Sequence, residues 1–335
     1  MITDDLDFQY PEELIATSPR TQSRVMVVRG GQPEETTVSH LLSRFSPEDV
    51  LVINTSKVIP ARVTCASGLE VLFIRELEPF VWEVLCPARK WSKTGEYLPC
   101  GTGLTLEQTG LPQRVSVDKK LDLAYFEKYG QMPLPPYIQE MRGDRTPRSS
   151  DQSDYQTAWA KTYGSLAAPT ASLHFKDEHI RRLKERGVTV AELCLHVGLG
   201  TFLPIHVENL KDHKMHGEFV SIPKDTVNAL TQARENGGRV WALGTTVARS
   251  LESLALNRFE KVDQGFQGFT DLFITPGFEF KNVDVLMTNF HQPKSTLLAL
   301  VAAFSDLQTV KNNYSWAIER QFRLFSYGDL TVWHR

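Results

Sequence analysis

Four of the histidines between residues 155 and 216 stand out: His174, His196, His213 and His216. Gly, Pro, Thr or Asp lies close to each of them. That composition suits strand ends and loops that present polar groups better than it suits core segments. Imidazole titrates near neutrality, so these side chains are candidates for general acid or base work. His213 and His216, at i and i+3, could also share a helical face and bind a metal. However, the run Asp212-His213-Lys214-Met215-His216 lacks the His-Glu-x-x-His pattern and the cysteines lie far off, so no metal site is expected.

In open α/β sheets, ligands bind beyond the C-terminal ends of the strands. Polar stretches follow several apolar runs here: Asn54-Thr55-Ser56-Lys57, Gly198-Leu199-Gly200-Thr201, Gly244-Thr245-Thr246 and Thr288-Asn289-Phe290-His291. Glycine lets a ligand approach the backbone, and a helix N-terminus offers free N–H groups to anions. Gly244 leads directly into a helical pattern. Thr245 and Thr246 therefore suit either a bound carboxylate or phosphate, or plain N-capping. The Gly198-x-Gly200 pair is equally a strand-closing turn, and the third glycine of a dinucleotide fingerprint is absent. Pro293 reads as a helix start, which would gather Asn289, His291, Lys294 and Ser295 at one N-terminus, a setting for an anion. Ser326-Tyr327-Gly328-Asp329 reads as a turn after a helix, which suits either a role in the site or a C-terminal strand that docks on the core.

The elements that must position these groups change character along the chain. Val50-Leu51-Val52-Ile53 predicts a buried strand, followed by a polar turn at Asn54–Lys57. From about Thr64, short β-type runs recur at 71–74, 80–84, 104–106 and 114–117, separated by Gly, Pro and charged turns. That rhythm predicts a small barrel or sandwich. A Pro-rich stretch at 132–138 and a polar loop at 142–154 close it off. Thereafter strands and helices alternate. Helices are expected over Asp177–Arg186, Asp225–Asn236, from Val247 onward, over Pro293–Phe304 and from Val310 to Leu324. Strands are expected at Val188–Val197, Arg239–Leu243, Leu272–Ile274 and Val283–Met287. Alternation implies a sheet covered by helices. The fold class expected is an α/β main domain with a mixed, largely parallel sheet, interrupted by an inserted small β-barrel. Residues 1–65 and 150–335 would form the main domain and 66–149 the insertion.

The chain has 335 residues, 41% hydrophobic and 23% charged, which is ordinary for a globular protein able to build a sizeable core. A net charge of −3 gives no global basic field for a polyanion, so any nucleic-acid binding must use a local face. Basic clusters occur at Arg142, Arg145 and Arg148, at Arg181 to Arg186, and at Lys119 and Lys120. Cys65, Cys86, Cys100 and Cys194 show no Cys-x-x-Cys spacing, and the acidic start is no secretory signal, so free thiols in a cytoplasmic protein are expected. No apolar run reaches the ~20 residues of a membrane span.

The whole chain resembles the S-adenosylmethionine:tRNA ribosyltransferase-isomerase family of queuosine biosynthesis. The resemblance is carried by Phe8-Gln-Tyr-Pro-Glu-Glu-Leu-Ile15, Val58-Ile-Pro-Ala-Arg62, Met132-Pro-Leu-Pro-Pro-Tyr-Ile138, Tyr155-Gln-Thr157 and Ala167-Ala-Pro-Thr170-Ala171. It continues through Leu173-His-Phe175, Leu195-His-Val-Gly-Leu-Gly-Thr-Phe202, Asp212-His-Lys-Met-His216, Gly244-Thr-Thr-Val247, Thr270-Asp271, Thr288-Asn-Phe-His291, Pro293-Lys-Ser-Thr296 and Phe325-Ser-Tyr-Gly-Asp329. Two departures stand out. Asn54-Thr55-Ser56-Lys57 replaces the family's Asn-Asp-Thr/Ser-Arg, and Ser172 stands where the family has glycine.

The resemblance implies an α/β fold with an inserted β-barrel and a defined reaction. The ribosyl part of S-adenosylmethionine moves to the aminomethyl group of preQ1 (7-aminomethyl-7-deazaguanine) at the tRNA wobble position. There it isomerises to an epoxy-cyclopentanediol, and adenine and methionine leave. S-adenosylmethionine is then a consumed substrate, with no cofactor and no metal, and preQ1-modified tRNA is the partner; a monomer is expected. On this reading His174, His196, His213 and His216 are proton-transfer candidates, and Asp271 would pair with the cationic substrate amine. Thr245–Thr246 or Lys294–Ser295 would hold the methionine carboxylate. Arg62 and Arg249 would meet phosphate or carboxylate, and Asn54, Thr170, Gly198, Gly200, Thr201, Asn289 and His291 would line the substrate site. The insertion and the Arg142–Arg148 loop would face tRNA. Two other readings remain open: an S-adenosylmethionine-dependent methyltransferase, since glycine-rich strand ends suit either, and a non-catalytic RNA-binding module.

Overall fold

The computed structural model describes residues 1–92, 95–143, 148–198, 200, 205 and 207–335. Three strands, Val50–Asn54, Val240–Leu243 and Val285–Asn289, are buried along their whole length and lie side by side in parallel. Their near-continuous Val, Leu, Ile and Met runs supply apolar side chains to both faces, as a covered parallel sheet requires. Side chains alternate accordingly. Val50, Val52, Val240 and Ala242 enter the large core, while Leu51, Ile53, Trp241 and Leu243 enter a smaller one on the opposite face.

These strands centre a sheet of 10 strands in the order Glu260–Val262, Gly265–Thr270, Glu218–Pro223, Thr189–Leu195, Val50–Asn54, Val240–Leu243, Val285–Asn289, Leu330–His334, Arg24–Arg29, Gln32–Thr37. Thr189–Leu195 joins the parallel centre. The wing beyond it is antiparallel. On the other side, Leu330–His334 runs antiparallel to Val285–Asn289 and parallel to Arg24–Arg29. The sheet is therefore mixed, with its parallel part concentrated where the polar strand ends lie. Helices Lys224–Glu235, Thr245–Ala255, Thr296–Phe304 and Leu307–Glu319 contribute to the large core; Val38–Leu42 and Asp177–Glu185 contribute to the other face.

The second unit is a sheet of 6 antiparallel strands, in the order Arg62–Thr64, Glu70–Glu78, Val81–Leu85, Gln113–Val117, Thr102–Gln108, Glu96–Leu98. The Ala66 amide donates to the Tyr97 carbonyl at 2.8 Å, bridging the two ends of that order into a nearly closed barrel. Val63, Val71, Phe73, Val84, Leu104 and Val115 fill its interior, with Phe126 of the following helix against Phe73 at 5.4 Å between ring centroids. The Pro-rich stretch does not pack there: Met132, Leu134 and Ile138 join the large core. Among the described residues, no helix is long and apolar enough to cross a membrane.

Several expected elements differ. Ser56–Val58 is a short strand paired with Thr162–Ser165 and not a turn. Leu272–Ile274 is not a strand: the Leu272 amide donates to the Thr270 hydroxyl at 3.2 Å and its carbonyl accepts from Arg249 Nε at 3.0 Å, so side chains take the bonds a ladder would use. The helix expected from Pro293 begins at Thr296, because Lys294 adopts a positive φ of 54° and Ser295 is the N-cap. Ser172 needs no glycine conformation; it sits fully buried in the 3-10 turn Thr170–His174, its amide donating to the Pro169 carbonyl at 2.8 Å.

Candidate active site

The central parallel strands end together, and a cavity of about 420 Å³ opens beyond them. That is the size range of small-molecule sites. Thr170 and Ala171 of the buried 3-10 turn form one wall; Gly244, Thr245, Thr246 and Arg249 at the start of a helix form another. The segment Thr288–Thr296 crosses the floor, and Tyr137, Phe325 and Ser326 close the far side. Of the residues expected from the sequence, the cavity gathers Thr170, Gly200, His216, Thr245, Thr246, Arg249, Asn289, His291, Lys294 and Ser295. Thr201 lies outside the described residues.

Asn54 stands just behind the wall. Its amide nitrogen donates to the Leu195 carbonyl at 3.0 Å and reaches Thr246 Oγ1 at 3.4 Å, while its Oδ1 accepts from the Leu195 and Ser56 amides at 3.1 and 3.0 Å. One buried side chain thus completes the backbone pairing where neighbouring strands end. Its role is to hold the strand ends in register. Thr55 is buried beside it, and Lys57 lies over the Tyr163 ring at 4.2 Å, away from the cavity.

The histidines separate. His174 does not line the cavity; its Nε2 accepts from the Asn289 amide at 3.1 Å and its Nδ1 lies 2.6 Å from Ser23 Oγ. Burial, with repulsion from Arg323, pushes its pKa down to about 3, so it is neutral near pH 7. His291 lines the floor, 2.9 Å from Thr288 Oγ1, and burial pushes it to about 3 as well. His196 is elsewhere: its ring stacks on Phe219, contacts Ser56 Oγ at 2.8 Å, and fits because Gly164 leaves room, a Cβ there meeting the ring at 2.6 Å. Burial lowers its pKa. His216 is exposed at the cavity rim, and His213 packs edge-on against Phe273, itself a lining residue. No helix carries these two; they follow a 3-10 turn at Leu210–Asp212. Among the described residues, no group of three or more His, Cys, Asp or Glu is placed to hold a metal ion.

Other expected residues fall outside the cavity. Asp271 points to solvent and pairs with Arg258 at 2.6 Å. Arg62 donates to the Leu134 carbonyl at 3.0 Å, tying the barrel's first strand to the Pro-rich segment. Gly198 serves through its amide, which donates to Glu218 Oε1 at 3.0 Å. Lys294 does line the cavity, but its ammonium is drawn to Asp4 and Asp7 at 2.8 and 3.1 Å. Arg142 is no surface contact for RNA. Its side chain is 3% exposed, pairs with Asp151 at 2.9 Å and donates to the Thr17 carbonyl. Arg148 is exposed, and Arg145 lies outside the described residues.

Sequence reasoning missed Glu218 and the Pro135–Tyr137 wall. Glu218 is buried, ion-paired to Arg249 and hydrogen-bonded to Gly198. A signal was present: in the strand Glu218–Pro223 the glutamate shares the inward parity of Val220 and Ile222, which makes it a buried acid in need of a partner.

Residues 3–332 match the family model described as queuosine biosynthesis protein. The chain belongs to the queuosine biosynthesis protein family. Two similar family members are proteins named S-adenosylmethionine:tRNA ribosyltransferase-isomerase. The one from Halothermothrix orenii is 41% identical over 98% of both chains, and the one from Geotalea uraniireducens is 43% identical over 98% of both. A crystal structure from Thermotoga maritima described as S-adenosylmethionine tRNA ribosyltransferase covers 98% of this chain and 99% of its own, with 34% identity and a TM-score of 0.56. Within the segment Asn54-Thr55-Ser56-Lys57, Thr55 and Lys57 are not among the residues that line the cavity Asn54 supports.

Proposed function

We propose that the chain is an S-adenosylmethionine:tRNA ribosyltransferase-isomerase. It transfers the ribosyl moiety of S-adenosylmethionine to preQ1 at the tRNA wobble position and isomerises it, giving epoxyqueuosine and releasing adenine and methionine. The reading is carried by one combination: a chain 41% identical to enzymes of that name has a cavity at its parallel strand ends, lined by amide, hydroxyl, imidazole and guanidinium groups. S-adenosylmethionine is a consumed substrate, with no further cofactor, and the enzyme acts as a cytoplasmic monomer.

The chemistry needs a group that takes the C5′ proton beside the sulfonium, one that assists adenine's departure from C1′, and a place for the amino-acid end. The sulfonium acidifies C5′, so a weak base suffices. His216 is the proton-transfer group favoured here, because it lines the cavity and reaches solvent. His291 is buried, neutral and tied to Thr288, which suits a hydrogen-bonding role on the floor. Asn289 and Thr170, bonded to each other at 3.1 Å, present a fixed amide and hydroxyl to the sugar.

Incubation with S-adenosylmethionine and preQ1-tRNA, followed by mass spectrometry of digested nucleosides, tests the reading. Epoxyqueuosine and free adenine are expected. S-adenosylhomocysteine in place of adenine would make the chain a methyltransferase, and no turnover would leave a binding module. In single-turnover assays His216→Ala should slow the reaction by about 10²–10⁴-fold, the usual worth of a positioned acid or base. A wild-type rate would remove His216 from that role.

A further inference from the structure

Among the described residues, two helices of nine or more residues start at the cavity, Thr296–Phe304 and Thr245–Ala255, and they differ in what already occupies their N-termini; the short helix Pro136–Met141 starts there too, on a proline that has no N–H to offer. Helix Thr296–Phe304 is closed: Ser295 Oγ accepts from the Leu298 amide at 3.2 Å, and Lys294 is held by Asp4 and Asp7 at 2.8 and 3.1 Å. Helix Thr245–Ala255 is open: its N-cap is Gly244, at φ 103°, and no side chain caps it. Its first amides therefore face the cavity wall that Gly244, Thr245 and Thr246 form.

One turn further along, on the face of Thr245, stands Arg249. It is 6% exposed and lines the same cavity. Its Nε donates to the Leu272 carbonyl at 3.0 Å, and its Nη1 is bound by Glu218 Oε2. Its Nη2 is buried and has no hydrogen-bond partner among the described residues. A buried guanidinium nitrogen left unpaired is costly, so a cavity that holds one is built for an acceptor that arrives with the ligand. Glu218 fixes this arrangement. One carboxylate oxygen holds Arg249 Nη1 and the other accepts from the Gly198 amide at 3.0 Å, so the carboxylate is itself fixed and, with the Leu272 carbonyl on Nε, keeps the guanidinium at the cavity.

We infer that Arg249 Nη2 and the open N-terminus of helix Thr245–Ala255 form the subsite for the carboxylate at the amino-acid end of S-adenosylmethionine, with Glu218 as its positioning residue. This rests on the function proposed above and adds where that substrate is anchored. A backbone phosphate of tRNA carries sugars on both sides and cannot reach a nitrogen this enclosed, whereas a carboxylate ending a flexible chain can. The anchor also selects a zwitterionic amino-acid tail over a plain amine.

Decarboxylated S-adenosylmethionine isolates the carboxylate without altering the protein. Calorimetric titration of the wild-type chain should show it binding about 10–100-fold more weakly than S-adenosylmethionine, the worth of a charge-assisted hydrogen bond. Equal affinities for the two ligands would overturn the subsite while leaving the enzyme assignment intact. No binding of S-adenosylmethionine would overturn that assignment and the subsite with it. Glu218→Gln should bring the ratio of the two affinities toward one. A purely structural glutamate would weaken both ligands alike and keep the ratio, and a subsite for tRNA phosphate would show as lost tRNA affinity; either result overturns the positioning role.

Discussion

The Asn289 amide nitrogen carries two hydrogens, and three acceptors surround it: His174 Nε2 and the Phe325 carbonyl at 3.1 Å, and the Ser326 carbonyl at 3.4 Å. Its oxygen accepts from Thr170 Oγ1 at 3.1 Å, so the amide has one orientation only. A donor facing His174 Nε2 requires a lone pair there, which places the imidazole proton on Nδ1, toward Ser23. That lone pair is therefore occupied, and His174 reaches the cavity only through Asn289. The consequence is energetic coupling. His174→Ala and Asn289→Ala should each slow single turnover, and the double variant should be little worse than the poorer single one. His174→Gln, which keeps an acceptor, should retain more activity than His174→Ala. Additive losses would instead make His174 an independent participant. Residue types alone pointed to His174 and Asn289 as site members. They could not show that one stands behind the other, because that depends on a contact across 115 residues of chain.

At the scale of elements, the starts of helices Thr245–Ala255 and Thr296–Phe304 at the cavity have divided roles. Ser295 satisfies its own helix, so Ser295→Ala should cost about 1 kcal/mol of stability in urea unfolding, the usual worth of a lost cap. An unchanged midpoint would mean that the cap is not formed in solution. Which elements were legible follows from their physics. Val50–Asn54 and Val240–Leu243 were readable because strands buried on both faces must be apolar throughout. The barrel was readable because its turns recur at short spacing. Pro136–Met141 was not, since a proline run carries no helical periodicity, yet it supplies Tyr137 and Glu140 to the cavity. Leu272–Ile274 misled because an apolar run reads as a strand whether or not its backbone groups find a ladder. The start at Pro293 misled because the positive φ at Lys294 has no signature in a lysine.

For the whole molecule, charge is divided between surface and interior in a way that composition hides. With a net charge of −3, basic residues invite assignment to an RNA face, but Arg142 is buried against Asp151 and Arg186 donates to the Leu42, Ser43 and Phe45 carbonyls. Replacing Arg142 should therefore destabilise the fold by about 3–5 kcal/mol through an uncompensated Asp151, visible in denaturant unfolding before any effect on tRNA is interpretable. The interior also stores neutral histidines. Burial first, with nearby arginines adding for His174 and His334, holds His174 and His291 at about 3 and His334 at about 4, against an ordinary 6.5. The folded state disfavours their protonation, so between those values the unfolded chain binds more protons than the folded one. By linkage, stability must then rise with pH across this window and fall as the medium is acidified below about 6.5. His174 and His291, both fully enclosed, should each remove roughly 1 kcal/mol between pH 6.5 and pH 5.5, or about 2 kcal/mol together, and the half-buried His334 acts in the same direction with its share reduced by solvent screening. Urea unfolding at the two pH values measures this directly: the midpoint should drop while the denaturant slope stays the same. A midpoint independent of pH over that interval would mean that these rings are protonated or solvated in the folded protein, and the neutral, acceptor-bearing His174 assigned above would fall with it.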